Sequence, residues 1–185
     1  MARLWEKPGA APLDERVLRY TAGEDHLLDA RLVPYDVRAS IAHAEMLGER
    51  GLLAPADLDA IRVGLTALGA AHAAGAWRIE LADEDVHTAL ESRLTAAIGE
   101  AGGRLHLGRS RNDQVLAALR LYLKDAVAAL AAGVRGAAAA LDELAVREAA
   151  TPLPGYTHLQ PAMPSSVPLW AKGASTVAAR GRRTR

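Results

Sequence analysis

Cysteine is absent from the 185 residues, which excludes disulfides, thiolate metal sites and a cysteine nucleophile. Phenylalanine is absent as well and aromatics total 4%, so the side chains that strands favour are scarce. There is no excess of charge of either sign: 22 basic residues meet 22 acidic ones, and nothing in that balance points to nucleic acid. No apolar run is long enough for a bilayer, which needs about 20 residues; the most apolar one, Ala126 to Leu141, is interrupted by Arg135. The start, Met1 to Pro8, lacks the apolar core of a secretory leader. These absences describe a cytoplasmic protein with neither membrane nor nucleic acid as partner.

What is present is alanine, the best helix former, in a chain with 50% hydrophobic residues. An all-α fold follows. Pro34 and Asp36 open a helix with apolar positions Val37, Ile41, Ala44 and Leu47, stopped by Gly51. Pro55 suits a first helical position, and Leu58, Ile61, Leu65 and Leu68 mark one face until Gly75. A third helix is expected from about Asp83, with Glu84 and Asp85 in its first turn and Val86, Leu90, Leu94 and Ile98 buried. After a loop through Gly108, Asn112 is the expected N-cap and Asp113 a first-turn residue of a helix of about 35 residues. Its near-heptad seam of Leu116, Leu119, Leu123, Val127, Leu130 and Val134 asks for partner helices. Pro152, Pro154 and Gly155 break it, Tyr156 to Gln160 reads as a polar turn, and a last helix from about Ser165 fades after Lys172. Beyond Glu148 five basic residues meet no acid, and Ala178 to Arg185 reads as a frayed tail.

Two loops carry more hydrogen-bonding groups than turns require. Gly108-Arg109-Ser110-Arg111-Asn112-Asp113-Gln114 places two guanidiniums, a hydroxyl and an amide at a helix start, a natural seat for a carboxylate. Equally open is a structural role in which Asn112 caps and both arginines pair with acids. Thr157 and His158, between Gly155 and Pro161, offer a proton-moving group near neutral pH, or a solvated loop histidine. His87, beside Asp85, reads as a partly buried helix-face histidine paired with an acid. His26, His43, His72 and His106 form no constellation, and there is no metal-binding spacing, phosphate loop or nucleophile elbow.

Three stretches together resemble the argininosuccinate lyase family: Glu84-Asp85-Val86-His87, Gly108 to Gln114, and Pro154-Gly155-Tyr156-Thr157-His158-Leu159-Gln160. Leu4-Trp5, Tyr20 to Asp25, Tyr35-Asp36, Ser40 to Ala44 and Met163 to Val167 fit as well, so the resemblance covers about residues 4 to 172. The Thr-His loop alone would indicate only the wider aspartase/fumarase superfamily. The resemblance implies an N-terminal helical domain over residues 1–112, then the first long helix of a central bundle over 113–185, incomplete. It also implies reversible β-elimination of argininosuccinate to arginine and fumarate, without cofactor or metal, by a homotetramer. Ser110, Arg111, Asn112 and Gln160 match substrate-holding positions, Thr157 and His158 catalytic ones, and His87 a supporting one. In the family the histidine works with a serine on a mobile loop, usually read as the base.

Family members run to more than twice this length, and that serine loop would lie beyond Arg185. From about Gly173 the sequence does not follow the family's continuing helix, and a truncated or frame-shifted product would explain both features. Gly23 stands where many relatives carry a substrate-contacting serine, so no role passes to it. Two further readings remain open. One is another fumarate-yielding lyase, against which the Gly108 to Gln114 segment argues. The other is a non-catalytic helical assembly protein.

Overall fold

In a computed structural model, which describes residues 14–180, helices account for nearly all regular structure. The expectations at Leu4-Trp5 and for the arginine-rich end from residue 181 lie outside the described residues. The order is α1 (Glu15–Ala22), α2 (Asp25–Leu28), α3 (Val33–Glu49), α4 (Pro55–Ala73), α5 (Val86–Ile98), α6 (Glu100–Gly103) and α7 (Arg111–Arg147). An antiparallel pair, β1 (Pro152–Thr157) and β2 (Gln160–Ser166), leads into α8 (Val167–Arg180). Among the described residues no helix is long and apolar enough to cross a membrane.

The described residues form two compact units that divide between Leu123 and Lys124. The core of the first lies among α3, α4 and α5, where Leu47, Ile61, Leu65 and Leu94 are buried together with Leu53 and Leu105. A second cluster, Val33, Val86, Ala89 and Leu90, adjoins Ile79 and the partly buried Trp77. The expected apolar stripes of α4 and α5 match this packing. On α3 the stripe is rotated: the buried face is Val33, Asp36, Ser40, Ala44 and Leu47, with Val37 and Ile41 at its margin. A carboxylate and a hydroxyl one turn apart thus sit in the middle of a core-facing stripe.

Helix ends follow local chemistry. Gly51 (φ 69°) and Gly75 (φ 74°) take the left-handed conformation that only glycine adopts without strain, directly after α3 and α4. The third long helix starts later than the sequence pattern places it. Leu81–Asp83 forms a separate 3-10 turn, Glu84 is left-handed, and Asp85 caps α5 by accepting from the Thr88 N–H at 2.9 Å. Asp85 is therefore a cap and not a first-turn residue, because its extended backbone (φ −146°, ψ 177°) cannot continue a helix.

In the second unit the polar turn expected at Tyr156 to Gln160 is the tip of a hairpin. Pro152 pairs with Ser166, Leu153 with Ser165 and Pro154 with Pro164; the register shifts at Gly155, and Thr157 pairs with Gln160. A Cβ on Gly155 would lie 2.7 Å from the Met163 carbonyl oxygen, so the close strand approach there requires glycine. The final helix does not fade at Lys172: α8 continues through Ala178 to Arg180, so the frayed-tail expectation fails for those three residues. Asp142 of α7 ties it down, accepting from Lys172 Nζ at 3.1 Å and Ser175 Oγ at 2.9 Å.

Candidate functional site

In the first unit the two motif segments meet at the starts of α5 and α7. Ser110, not Asn112, caps α7. The Ser110 N–H donates to Asp113 Oδ2 at 2.8 Å and the Asp113 N–H donates back to Ser110 Oγ at 3.3 Å, a reciprocal capping pair. The Ser110 N–H, with the Ser110 hydroxyl beside it, holds the Asp113 carboxyl below the usual carboxylate range. Asn112 is exposed on the first turn. The cap moved by two residues because Ser and Asp three apart satisfy two N–H groups, whereas Asn112 alone would satisfy one.

Arg111 crosses to α5, donating to the Asp85 carboxylate and to Thr88 Oγ1. Burial raises the Asp85 pKa, but the Thr88 N–H and the Arg111 guanidinium outweigh it, and the group ends below its ordinary value. Arg109 instead turns toward α3 and donates to Ser40 Oγ at 3.1 Å. Pairing with an acid is thus the arrangement of Arg111, while Arg109 engages a hydroxyl.

His87 is 4% exposed, and its acid partner is Asp36 rather than the adjacent Asp85: Nδ1 lies 2.7 Å from Asp36 Oδ2. Gln114, 2% exposed, donates Nε2 to both Asp36 oxygens at 2.9 Å. Ser40 Oγ donates to Asp36 Oδ1 at 3.0 Å. The sequence reading missed Asp36, Ser40 and Gln114 as one unit. The available signal was a polar pair four residues apart on an apolar helix face, where buried polar groups must find partners.

The second unit holds the other motif. Thr157, His158 and Gln160 are all exposed. His158 (φ 47°) and Leu159 (φ 64°) form a two-residue loop with both backbones left-handed, which matches the twist of the flanking strands. Neither residue is glycine, so the turn carries strain. Thr157 Oγ1 lies 3.1 Å from His158 Nδ1, which orients the ring and leaves Nε2 for another partner. The tip therefore presents an imidazole and a hydroxyl to solvent, a pair able to exchange a proton with a bound molecule. Among the described residues no group of three or more His, Asp or Glu side chains is arranged to hold a metal ion.

The Lyase family profile matches residues 14–184 and so runs past Gly173, where departure from the family was expected. An argininosuccinate lyase of Sorangium cellulosum is 53% identical over 169 residues, covering 91% of this chain and 39% of that relative. One from Laribacter hongkongensis is 48% identical over 164 residues, covering 88% of this chain and 35% of its own length. The chain thus spans well under half of the curated relatives it matches. Among solved structures, an EDDS lyase variant with bound fumarate shares 26% identity at a TM-score of 0.69, over 93% of this chain and 34% of that one. A fumarate lyase from Mesorhizobium sp. BNC1, at 22% identity and a TM-score of 0.59, shares the fold. With the profile spanning both motif-bearing units, the chain belongs to the Lyase family.

Proposed function

We propose that this chain carries part of the active site of an argininosuccinate lyase, which cleaves argininosuccinate reversibly to arginine and fumarate in arginine biosynthesis. The observation that carries this reading is the 53% identity to the Sorangium enzyme across 91% of the chain. The reaction removes a weakly acidic proton from a carbon beside a carboxylate, so a second negative charge builds on that carboxylate. Fixed donors aimed at it supply the stabilisation. Ser110, Asn112, Thr157 and Gln160 are the proposed donors, with Arg111 adding positive charge and His87 support. His158 is the proposed acid for the departing guanidino nitrogen. Neither Ser110, held as a helix cap, nor Thr157, turned to His158, is a free base for the carbon-bound proton.

Self-association belongs to the same proposal. On α7, Leu116, Leu123, Val127 and Leu130 are 46–68% exposed. Burying each gains about 1.5–3 kcal/mol, which favours assembly with further copies, as in a homotetramer. A cytoplasmic place of work fits this chemistry.

The test is a graft. Replacing the matched segment of the Sorangium enzyme by this chain should give a protein that releases fumarate from argininosuccinate, followed by absorbance. His158→Ala in the graft should lower turnover by about 10²–10⁴-fold. A folded graft without turnover would overturn the reading. The 185 residues alone should show negligible turnover.

A further inference from the structure

Asp36 is fully buried on α3; it stands in the Tyr35-Asp36 pair that fits the family but outside the three motif stretches, and no role was assigned to it from the sequence. Among the described residues its carboxylate accepts from Gln114 Nε2 of α7 at 2.9 Å on each oxygen and from Ser40 Oγ of α3 at 3.0 Å, and His87 Nδ1 of α5 lies 2.7 Å from Oδ2. The Ser40 hydroxyl itself accepts from Arg109 at 3.1 Å, so its proton is free to point at Asp36. An acceptor-only partner is the ionised carboxylate. It obliges His87 to carry a proton on Nδ1, and this fixes which nitrogen can act elsewhere.

We infer that Asp36 is a positioning residue: it locks His87 with Nδ1 as donor and Nε2 as the available acceptor, and through Gln114 it pins the start of α7 to α5. Functionally this rests on the lyase reading, in which the Glu84 to His87 and Gly108 to Gln114 segments recognise one carboxylate-bearing substrate. Asp36 touches the side chains of both segments and so makes them a single preformed surface. Among the described residues the geometry also has two open ends, Arg109 Nε and Gln114 Oε1, each buried without a hydrogen-bond partner. Neither is a further acceptor for the Ser40 hydroxyl or the Gln114 amide protons in place of Asp36, which alone accepts from both. The hub is a single residue.

The first measurement needs no substitution. In the 185-residue chain labelled with 15N-histidine, long-range proton–nitrogen correlation at pH 8 should show His87 protonated at Nδ1 with a bare Nε2. The Nε2–H signature would overturn the inference. Asp36→Asn then keeps the shape and replaces an acceptor pair by one acceptor and one donor. It should release His87 into a mixture of tautomers and weaken the binding of fumarate, read by amide shifts of residues 108–114, about tenfold or more. A folded Asp36→Asn chain that keeps both the signature and the fumarate response would overturn the positioning role. Should Asp36→Asn not fold, the wild-type signature still decides. A wild-type chain with the Nδ1–H signature and no response to fumarate upholds the hold on the ring and overturns its link to fumarate binding, while the lyase reading stands or falls with the graft.

Discussion

In the first unit, His87 is almost completely buried and bonded to a carboxylate that three helices share; in the second, His158 stands exposed at the tip of a two-stranded hairpin. Both belong to motif segments of one family, yet they obtain their orientation in opposite ways. His87 is fixed by side chains 51 and 27 residues away in sequence, Asp36 directly and Gln114 through it. His158 is fixed by its own backbone, by a neighbour's hydroxyl and by the strand register. The buried site is therefore coupled to global stability, whereas the hairpin site depends on a local turn.

The strongest way to break this contrast is to remove the hub. Asp36→Ala leaves three buried donors without an acceptor and should cost roughly 3–5 kcal/mol in urea unfolding, while His158→Ala should stay within about 0.5 kcal/mol. Equal losses would erase the distinction. Next in size is Gly155→Ala, where the added Cβ meets backbone 2.7 Å away and cannot be relieved by a rotamer change. A loss of about 1–3 kcal/mol is expected, with faster amide exchange confined to residues 152–166.

Leu159→Gly sharpens the comparison in the opposite direction. It removes the left-handed penalty of about 1–2 kcal/mol but adds unfolded-state entropy of roughly 0.5–1 kcal/mol, so the hairpin should gain slightly. Slower exchange of the 157–160 amides would register that gain, and faster exchange would contradict a strained turn. The smallest effect concerns pH. The Asp85 carboxyl lies below its ordinary value when folded, so its contribution is complete above the unfolded pKa of about 3.9 and disappears as pH falls through the folded value. Asp85→Asn should flatten that acid limb without altering the unfolding curve of the hairpin.

Legibility in the sequence follows the same division. The helices α3, α4 and α7 were readable because apolar residues recur at three and four and because proline and glycine punctuate their ends. The hairpin was not, since Pro152, Pro154, Pro161 and Pro164 argue against strands; β1 and β2 tolerate them because each strand has only one neighbour. The candidate residues themselves were visible as motifs. Their partners were not: the adjacent Asp85 was the acid that proximity suggested for His87, while the distant Asp36 holds it. A capping pair at Ser110 and Asp113 likewise displaced the expected Asn112, a choice set by how many N–H groups are satisfied.

Residue-resolved amide hydrogen exchange on the 185-residue chain tests the contrast most directly. Amides of α5 following His87 and of α7 just following Gln114 should exchange only through global opening of the first unit. Those from residue 157 to 160 should exchange about a hundredfold faster or more, through local opening of the hairpin tip. Equal protection of the two regions, or a Gln114 segment that exchanges at the hairpin's rate, would contradict it.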